Sequence, residues 1–280
     1  MKKTITLKDG NVMPRLGLGT WEMGGRMEPD LSEDKKYIKA IDTALQTGYK
    51  HIDTAEMYGQ GHTEEIVARG IQNHNRENLF ITSKVRKAHL KYFDVMEAAS
   101  RSLERLQTHY LDLYLIHEPN RAIPIKETMK AMDELIQKGW VKSIGVSNFN
   151  LNALQEAEAA AKNPVVVNQI EYNLTTRNQG MYTQNMETEI IPYCQQNQII
   201  ITAWRPLLKG KLPQTTGLNE IAEVHQATPY QIALAWLLNK PGMTTIAKAT
   251  SEKNLRANYE AQKIILSEKE IDSLNRFQMV

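Results

Sequence analysis

Four side chains with complementary proton chemistry fall at or just beyond the ends of short apolar runs. Asp53 closes His51-Ile52-Asp53, and Tyr58 follows five positions later; Lys84 closes Ile81-Thr82-Ser83-Lys84, and His117 closes Leu113-Tyr114-Leu115-Ile116-His117. A phenol has a reference pKa of about 10, so a lone tyrosine donates protons poorly at neutral pH. A neighbouring ammonium favours the phenolate and lowers that value, while a carboxylate holds the ammonium in place. A histidine beside them can hydrogen-bond an oxygen or pass a proton. Together the set protonates an oxygen, and because no side chain delivers hydride, the electrons must come from a bound cofactor. Singly, each residue has an ordinary role as a turn cap, a half-buried amphipath, a solvated cation or a satisfied core imidazole. The functional reading rests on their coincidence at the ends of three successive runs. Neither a multi-histidine or cysteine cluster nor His-Glu-x-x-His accompanies them, so no metal site is expected.

The elements that must position these groups repeat along the chain. Strands are expected over residues 16–19, 51–53, 79–85, 111–117, 142–147, 165–170, 199–203 and 244–247, mostly aliphatic runs with little alternation, as in parallel strands buried on both faces. Helical periodicity fills the gaps. One stripe carries Phe93, Met96, Leu103 and Leu106, with Lys91, Glu97, Arg101 and Glu104 for the wet side. Ser32 and Asn150 are expected helix N-caps, Gly48 and Gly139 stops, Pro229 a first-turn residue, and Ser267 with Glu270 a capping box. A hairpin over residues 4–15 precedes them, turning at Asp9-Gly10. Strand-then-helix units of this kind predict a closed (β/α)₈ TIM barrel with an N-terminal β-hairpin, in a single domain over residues 1–280. An open doubly wound sheet would carry a glycine fingerprint after its first strand. Leu16-Gly17-Leu18-Gly19-Thr20-Trp21 has two of the glycines, but Glu22 stands at the third position and no helix follows at once.

Composition narrows the function classes. Among 280 residues, 34 Lys and Arg face 32 Asp and Glu, a net charge of +2, which provides no field for nucleic acid or an anionic membrane. Cys194 stands alone, so no intramolecular disulfide forms and a reducing compartment is expected. Lys2-Lys3 is followed by polar residues rather than an apolar signal core, and no run reaches membrane-spanning length. A cytoplasmic monomer acting on small molecules is the expectation.

The stretch His51-Ile52-Asp53-Thr54-Ala55-Glu56-Met57-Tyr58-Gly59 resembles the signature of the aldo-keto reductases. The resemblance continues through Leu16–Trp21, Ile81–Lys84, Leu111–His117 and Ile144-Gly145-Val146-Ser147-Asn148-Phe149, and runs in order to about Asn258. It implies a barrel that binds an extended nicotinamide cofactor and reduces aldehydes or ketones with NADPH, with Tyr58, Lys84, Asp53 and His117 catalytic. It further implies that Ser147, Asn148 and Gln169 hold the nicotinamide carboxamide and that Trp204 stands where a tyrosine usually stacks on the ring. Thr20, Trp21, Asp53, Arg205, Leu207 and Lys209 would join the cofactor contacts. Lys248, Ala249 and Thr250, with Asn254 and Asn258, would surround the adenosine 2′-phosphate at a helix start. Trp21, Tyr58, His117 and Glu118 would meet the substrate.

Departures from the family pattern carry their own expectations. Asn254 replaces a common arginine and Ala257 a common glutamate, so a modest NADPH preference with NADH usable is expected. Glu118, Val85 and Arg86 stand where relatives often carry aromatics, and the chain reaches Val280 with no long loop after its last helix. An open, permissive pocket follows. A nicotinamide-binding sensor with negligible turnover is the rival reading. A phosphate-gripping isomerase barrel ranks lower, because Ala247-Lys248-Ala249-Thr250 contains no glycine.

Overall fold

The computed structural model describes residues 2–213 and 215–277. Its first element is a hairpin of β1 (Thr4–Thr6) and β2 (Val12–Pro14), paired antiparallel with Thr4 opposite Pro14. Gly10 makes the turn at φ +89°, a conformation that costs glycine little and a side-chain-bearing residue much. Eight parallel strands then close a barrel: β3 (Leu16–Gly19), β4 (His51–Asp53), β5 (Phe80–Val85), β6 (Leu111–Ile116), β7 (Val141–Ser147), β8 (Val165–Glu171), β9 (Ile200–Trp204) and β10 (Met243–Ala247). Each pairs with its neighbour in sequence, and β10 returns to β3 with Thr245 beside Leu16. Strand ends agree with the sequence expectation to within a residue.

The helices are α1 (Asp34–Thr47), α2 (His62–Ile71), α3 (Tyr92–Arg105), α4 (Ile125–Gln137), α5 (Leu151–Ala160), α6 (Ile191–Gln196), α7 (Thr216–Val224), α8 (Pro229–Asn239), α9 (Glu252–Glu260) and α10 (Glu268–Asn275). Asn150 caps α5 by accepting from the Ala153 N–H, and Ser267 with Glu270 forms the capping box of α10. Pro229 opens α8 behind Thr228, which caps reciprocally with Gln231. Gly48 ends α1 at φ +120°, and Gly139 follows α4 at φ +70°. Two local expectations are corrected. Glu33, not Ser32, precedes α1, and the Ser32 hydroxyl instead donates to Asp30. Phe93 lies outside the buried stripe of α3, which runs through Val95, Ala98, Ala99, Ser102 and Leu103; its ring packs edge-on against Tyr92.

The core has two parts that leave the opposite mouth of the barrel free. Most buried apolar side chains fill the layer between strands and helices. A smaller cluster joins Leu7 and Met13 of the hairpin region to Phe80, Leu113, Leu115, Val167 and Ile200, sealing the end where the strands begin. That plug is consistent with a barrel interior that is packed rather than hollow, leaving the carboxyl ends of the strands for chemistry. Among the described residues no helix is long and apolar enough to cross a membrane.

Candidate active site

Parallel register delivers the central pair. Asp53 ends β4 beside Thr82, and Lys84 stands two residues further along β5, so both side chains emerge at the same mouth. The Lys84 ammonium lies 2.5 Å from Asp53 Oδ1, donates to the Thr54 carbonyl at 2.8 Å and reaches the Tyr58 hydroxyl at 3.4 Å. Asp53 Oδ2 accepts from the Gln169 amide at 2.8 Å. Tyr58 opens a short turn, Tyr58–Gly61, that needs glycine at its second position. Gly59 sits at φ +53°, and a Cβ there would lie 2.5 Å from the Gly24 carbonyl oxygen. The turn fixes the Tyr58 ring between Trp21, edge-on at 4.7 Å, and His117, edge-on at 5.6 Å. His117 follows β6 directly, its N–H bonded to the Val85 carbonyl. The structure therefore brings together all four groups singled out in the sequence.

Burial governs their protonation. Lys84 and Asp53 are essentially inaccessible to solvent. Desolvation works to lower the Lys84 pKa, but the Asp53 charge and the hydrogen bonds to Asp53 and Tyr58 outweigh it, and the net shift is upward. Tyr58 corrects the sequence expectation. Desolvation raises its pKa, and the Lys84 ammonium offsets only part of that rise, so the phenol stays protonated above the ordinary range. Desolvation, reinforced by Lys84, pushes the His117 pKa well below 6.5, leaving a neutral imidazole. His117 Nδ1 is buried and has no hydrogen-bond partner among the described residues.

A polar shelf borders this cluster. Ser147 Oγ donates to the Gln169 carbonyl at 2.9 Å, and Asn148, in a left-handed conformation at φ +61°, donates to the His117 carbonyl at 3.0 Å. The Trp204 indole N–H donates to Asn148 Oδ1 at 3.0 Å, which fixes the plane of the half-buried ring. The Thr20 hydroxyl donates to the Asp53 carbonyl at 2.9 Å, tying the loop after β3 to β4. These groups hydrogen-bond one another or neighbouring backbone carbonyls across the ends of β4, β7, β8 and β9.

The remaining expected cofactor and substrate contacts are gathered less directly. Lys209 and Lys248 come together around Glu22, whereas Arg205 turns away to the buried carboxylate of Glu171 at 3.2 Å. Leu207 packs against the core, and Ala249 and Asn258 are buried. Thr250 is half-buried, and Asn254 is exposed with its N–H bonded to Ser251, the cap of α9. Glu118 pairs with Lys87 at 3.3 Å on the rim. The expectation that no loop after the last helix covers the pocket falls on residues 278–280, outside the described residues. Sequence reasoning missed Tyr182, whose ring centre lies 6.2 Å from that of Trp204. It stands on a turn held by the Gly180 N–H to Thr183 carbonyl bond and by the Met181 N–H to Glu171. The bulky pair Met181-Tyr182 inside a polar loop was the available signal.

A plugged parallel barrel that gathers titratable side chains at the carboxyl ends of its strands has the architecture of a barrel enzyme with its site on the loop face. Comparison with known proteins makes the class specific. The family model described as the aldo/keto reductase family matches residues 15–278. The chain is similar to glyoxal reductase of Bacillus subtilis, 35% identical over all of this chain and 95% of that protein. Among solved structures it is similar to the thermostable aldo-keto reductase Tm1743 in complex with the inhibitor epalrestat. That match has a TM-score of 0.91 and 42% identity, covering 97% of this chain and 98% of the other. An aldo-keto reductase from Klebsiella pneumoniae in complex with NADPH matches at a TM-score of 0.88 and 33% identity, covering 99% and 95% of the two chains. The chain belongs to the aldo/keto reductase family and is an oxidoreductase of that family.

Proposed function

We propose that the protein reduces small aldehydes and ketones with NADPH, and that Tyr58 donates the proton. The observation that carries this reading is the buried ammonium of Lys84, held between Asp53 and the hydroxyl of a protonated Tyr58. A nicotinamide cofactor, when bound, supplies hydride to the carbonyl carbon. The residues present fit such a group. Trp204, its plane set by Asn148, offers a flat aromatic face beside Ser147 and Gln169, and Lys209 and Lys248 offer cations for phosphates.

His117, kept neutral, donates an N–H to the carbonyl oxygen and orients it towards Tyr58. As negative charge develops on that oxygen, Tyr58 transfers its proton there. The resulting phenolate lies against the Lys84 ammonium, which Asp53 holds in place, so the charge never stands unpaired in the buried site. Trp21 excludes water from one side of the Tyr58 ring. Similarity to glyoxal reductase favours small reactive aldehydes and dicarbonyls as substrates. A single domain acting as a monomer completes the reading.

The test is NADPH oxidation in the presence of glyoxal, methylglyoxal and simple aldehydes, paired with cofactor fluorescence titration. Turnover supports the proposal. NADPH binding without turnover across the panel would favour the sensor, and a folded protein that binds no nicotinamide cofactor would overturn the reading altogether.

A further inference from the structure

Cations from three separate segments converge on one carboxylate near the mouth of the barrel. Glu22 Oε1 lies 2.7 Å from Arg26 Nε on its own loop and 2.9 Å from Lys209 Nζ on the loop after β9. Glu22 Oε2 lies 4.0 Å from Lys248 Nζ, just beyond β10. The geometry is held by the backbone. Glu22 sits at φ +65° and Lys209 at φ +57°, both in the left-handed region that side-chain-bearing residues seldom adopt. Glu22 stays ionised: burial opposes its charge, but the hydrogen bond from Lys209 and the charges of Lys209, Lys248 and Arg26 prevail.

We propose that Glu22 acts as an internal competitor for the cofactor's phosphates, occupying Lys209 and Lys248 in the free protein and thereby setting cofactor affinity and the margin of NADPH over NADH. This rests on the reading above, in which those two lysines serve the phosphates. A lysine ammonium carries a single charge, so a carboxylate already paired with it neutralises part of the attraction that a phosphate would meet. A phosphate group arriving at Lys209 or Lys248 must weaken an existing ion pair and then sit near a like charge. The penalty grows with the ligand's negative charge, so the additional 2′-phosphate of NADPH feels it more than NADH does. Glu22 thus narrows a preference that Asn254, lacking a guanidinium, already leaves modest.

The experiment is a fluorescence titration of NADPH and NADH, at fixed ionic strength, against wild type and Glu22→Gln. Partly exposed ion pairs are worth about 0.2–1 kcal/mol each, so releasing two should tighten NADPH binding about two- to thirtyfold, with a smaller gain for NADH. Lys209→Gln should weaken NADPH binding more in the Glu22→Gln background than in wild type, because only there is the lysine free. Glu22→Asn, which suits a left-handed backbone, repeats the test should the first variant fold poorly. Unchanged or weaker NADPH binding in folded variants overturns the proposal and makes Glu22 a bridge that holds the loops over the ligand. A wild type that binds neither cofactor would instead overturn the functional reading beneath it.

Discussion

Removing one member of the Lys84–Asp53 pair should do far more damage to stability than removing both. In Lys84→Met, Asp53 keeps the Gln169 amide at 2.8 Å but loses the ammonium at 2.5 Å, while staying about 1% exposed. The Thr54 carbonyl and the Tyr58 hydroxyl lose a donor as well. Stranding a buried charge in this way costs roughly 3–5 kcal/mol. That is a large share of a typical folding free energy of about 5–15 kcal/mol. Adding Asp53→Asn leaves two neutral side chains of similar volume, and replacing a buried pair as a unit is close to neutral. The double variant should therefore recover to within about 1–2 kcal/mol of wild type, a strong positive coupling between contacting residues. Activity should not recover, because the phenolate formed at Tyr58 would have no counter-charge. Urea unfolding followed by tryptophan fluorescence gives the stabilities, and NADPH oxidation with an aldehyde gives the rates. If the two single-variant losses simply add in the double variant, the pair is not the coupled unit described here. If the double variant turns over like wild type, the ammonium has no part in the chemistry.

Tyr58→Phe should lower carbonyl reduction about 100- to 10,000-fold while cofactor affinity stays nearly unchanged, since the ring contacts to Trp21 and His117 survive and only the hydroxyl is lost. Wild-type-like rates in that variant would rule out its role as donor. Stability should fall on acidification below pH 6.5. Burial pushes His51 down to about 4 and His117 well below 6.5, so the unfolded chain binds protons there that the folded protein refuses. Between pH 6.5 and 4 His51 should remove up to about 1.4 kcal/mol per pH unit, with His117 acting in the same direction, measured by urea unfolding; a flat profile would contradict the burial of His51. Lys248→Ala should nearly erase the NADPH preference and Asn254→Arg should widen it, read from dissociation constants for both cofactors. No response to either would mean that the 2′-phosphate lies elsewhere.

What the sequence revealed, and what it hid, divides along a physical line. Parallel strands buried on both faces leave continuous apolar runs, so β3 to β10 were legible to within a residue. Residues at the carboxyl ends of such strands share one mouth by topology alone, which is why Asp53, Lys84 and His117 could be assembled without coordinates. The pKa of Tyr58 went the other way from expectation because two opposing effects decide it. The neighbouring ammonium was visible in the sequence; the depth of burial that outweighs it was not. Phe93 misled for a related reason: periodicity defines a stripe, but the edge of that stripe is set by what α3 packs against. The basic residues show the limit most clearly. The resemblance names Arg205, Lys209 and Lys248 as cofactor contacts, and nothing in the sequence separates a cation that straps a phosphate from one in a solvated basic loop. Folding gives them different anions. Glu171 at the end of β8 takes Arg205 into a pair with a buried carboxylate. Glu22, visible in the sequence only as the residue that spoils a glycine fingerprint, gathers the two lysines. A cation's availability to a ligand depends on the anion already beside it, and that neighbour comes from another strand's loop. Arg205 would have to leave a carboxylate held deep at the end of β8, whereas Lys209 and Lys248 need only exchange a partly exposed partner. Under the proposed function the two lysines, rather than Arg205, are the cations expected to meet a phosphate, while Arg205 ties the loop after β9 to Glu171 of β8.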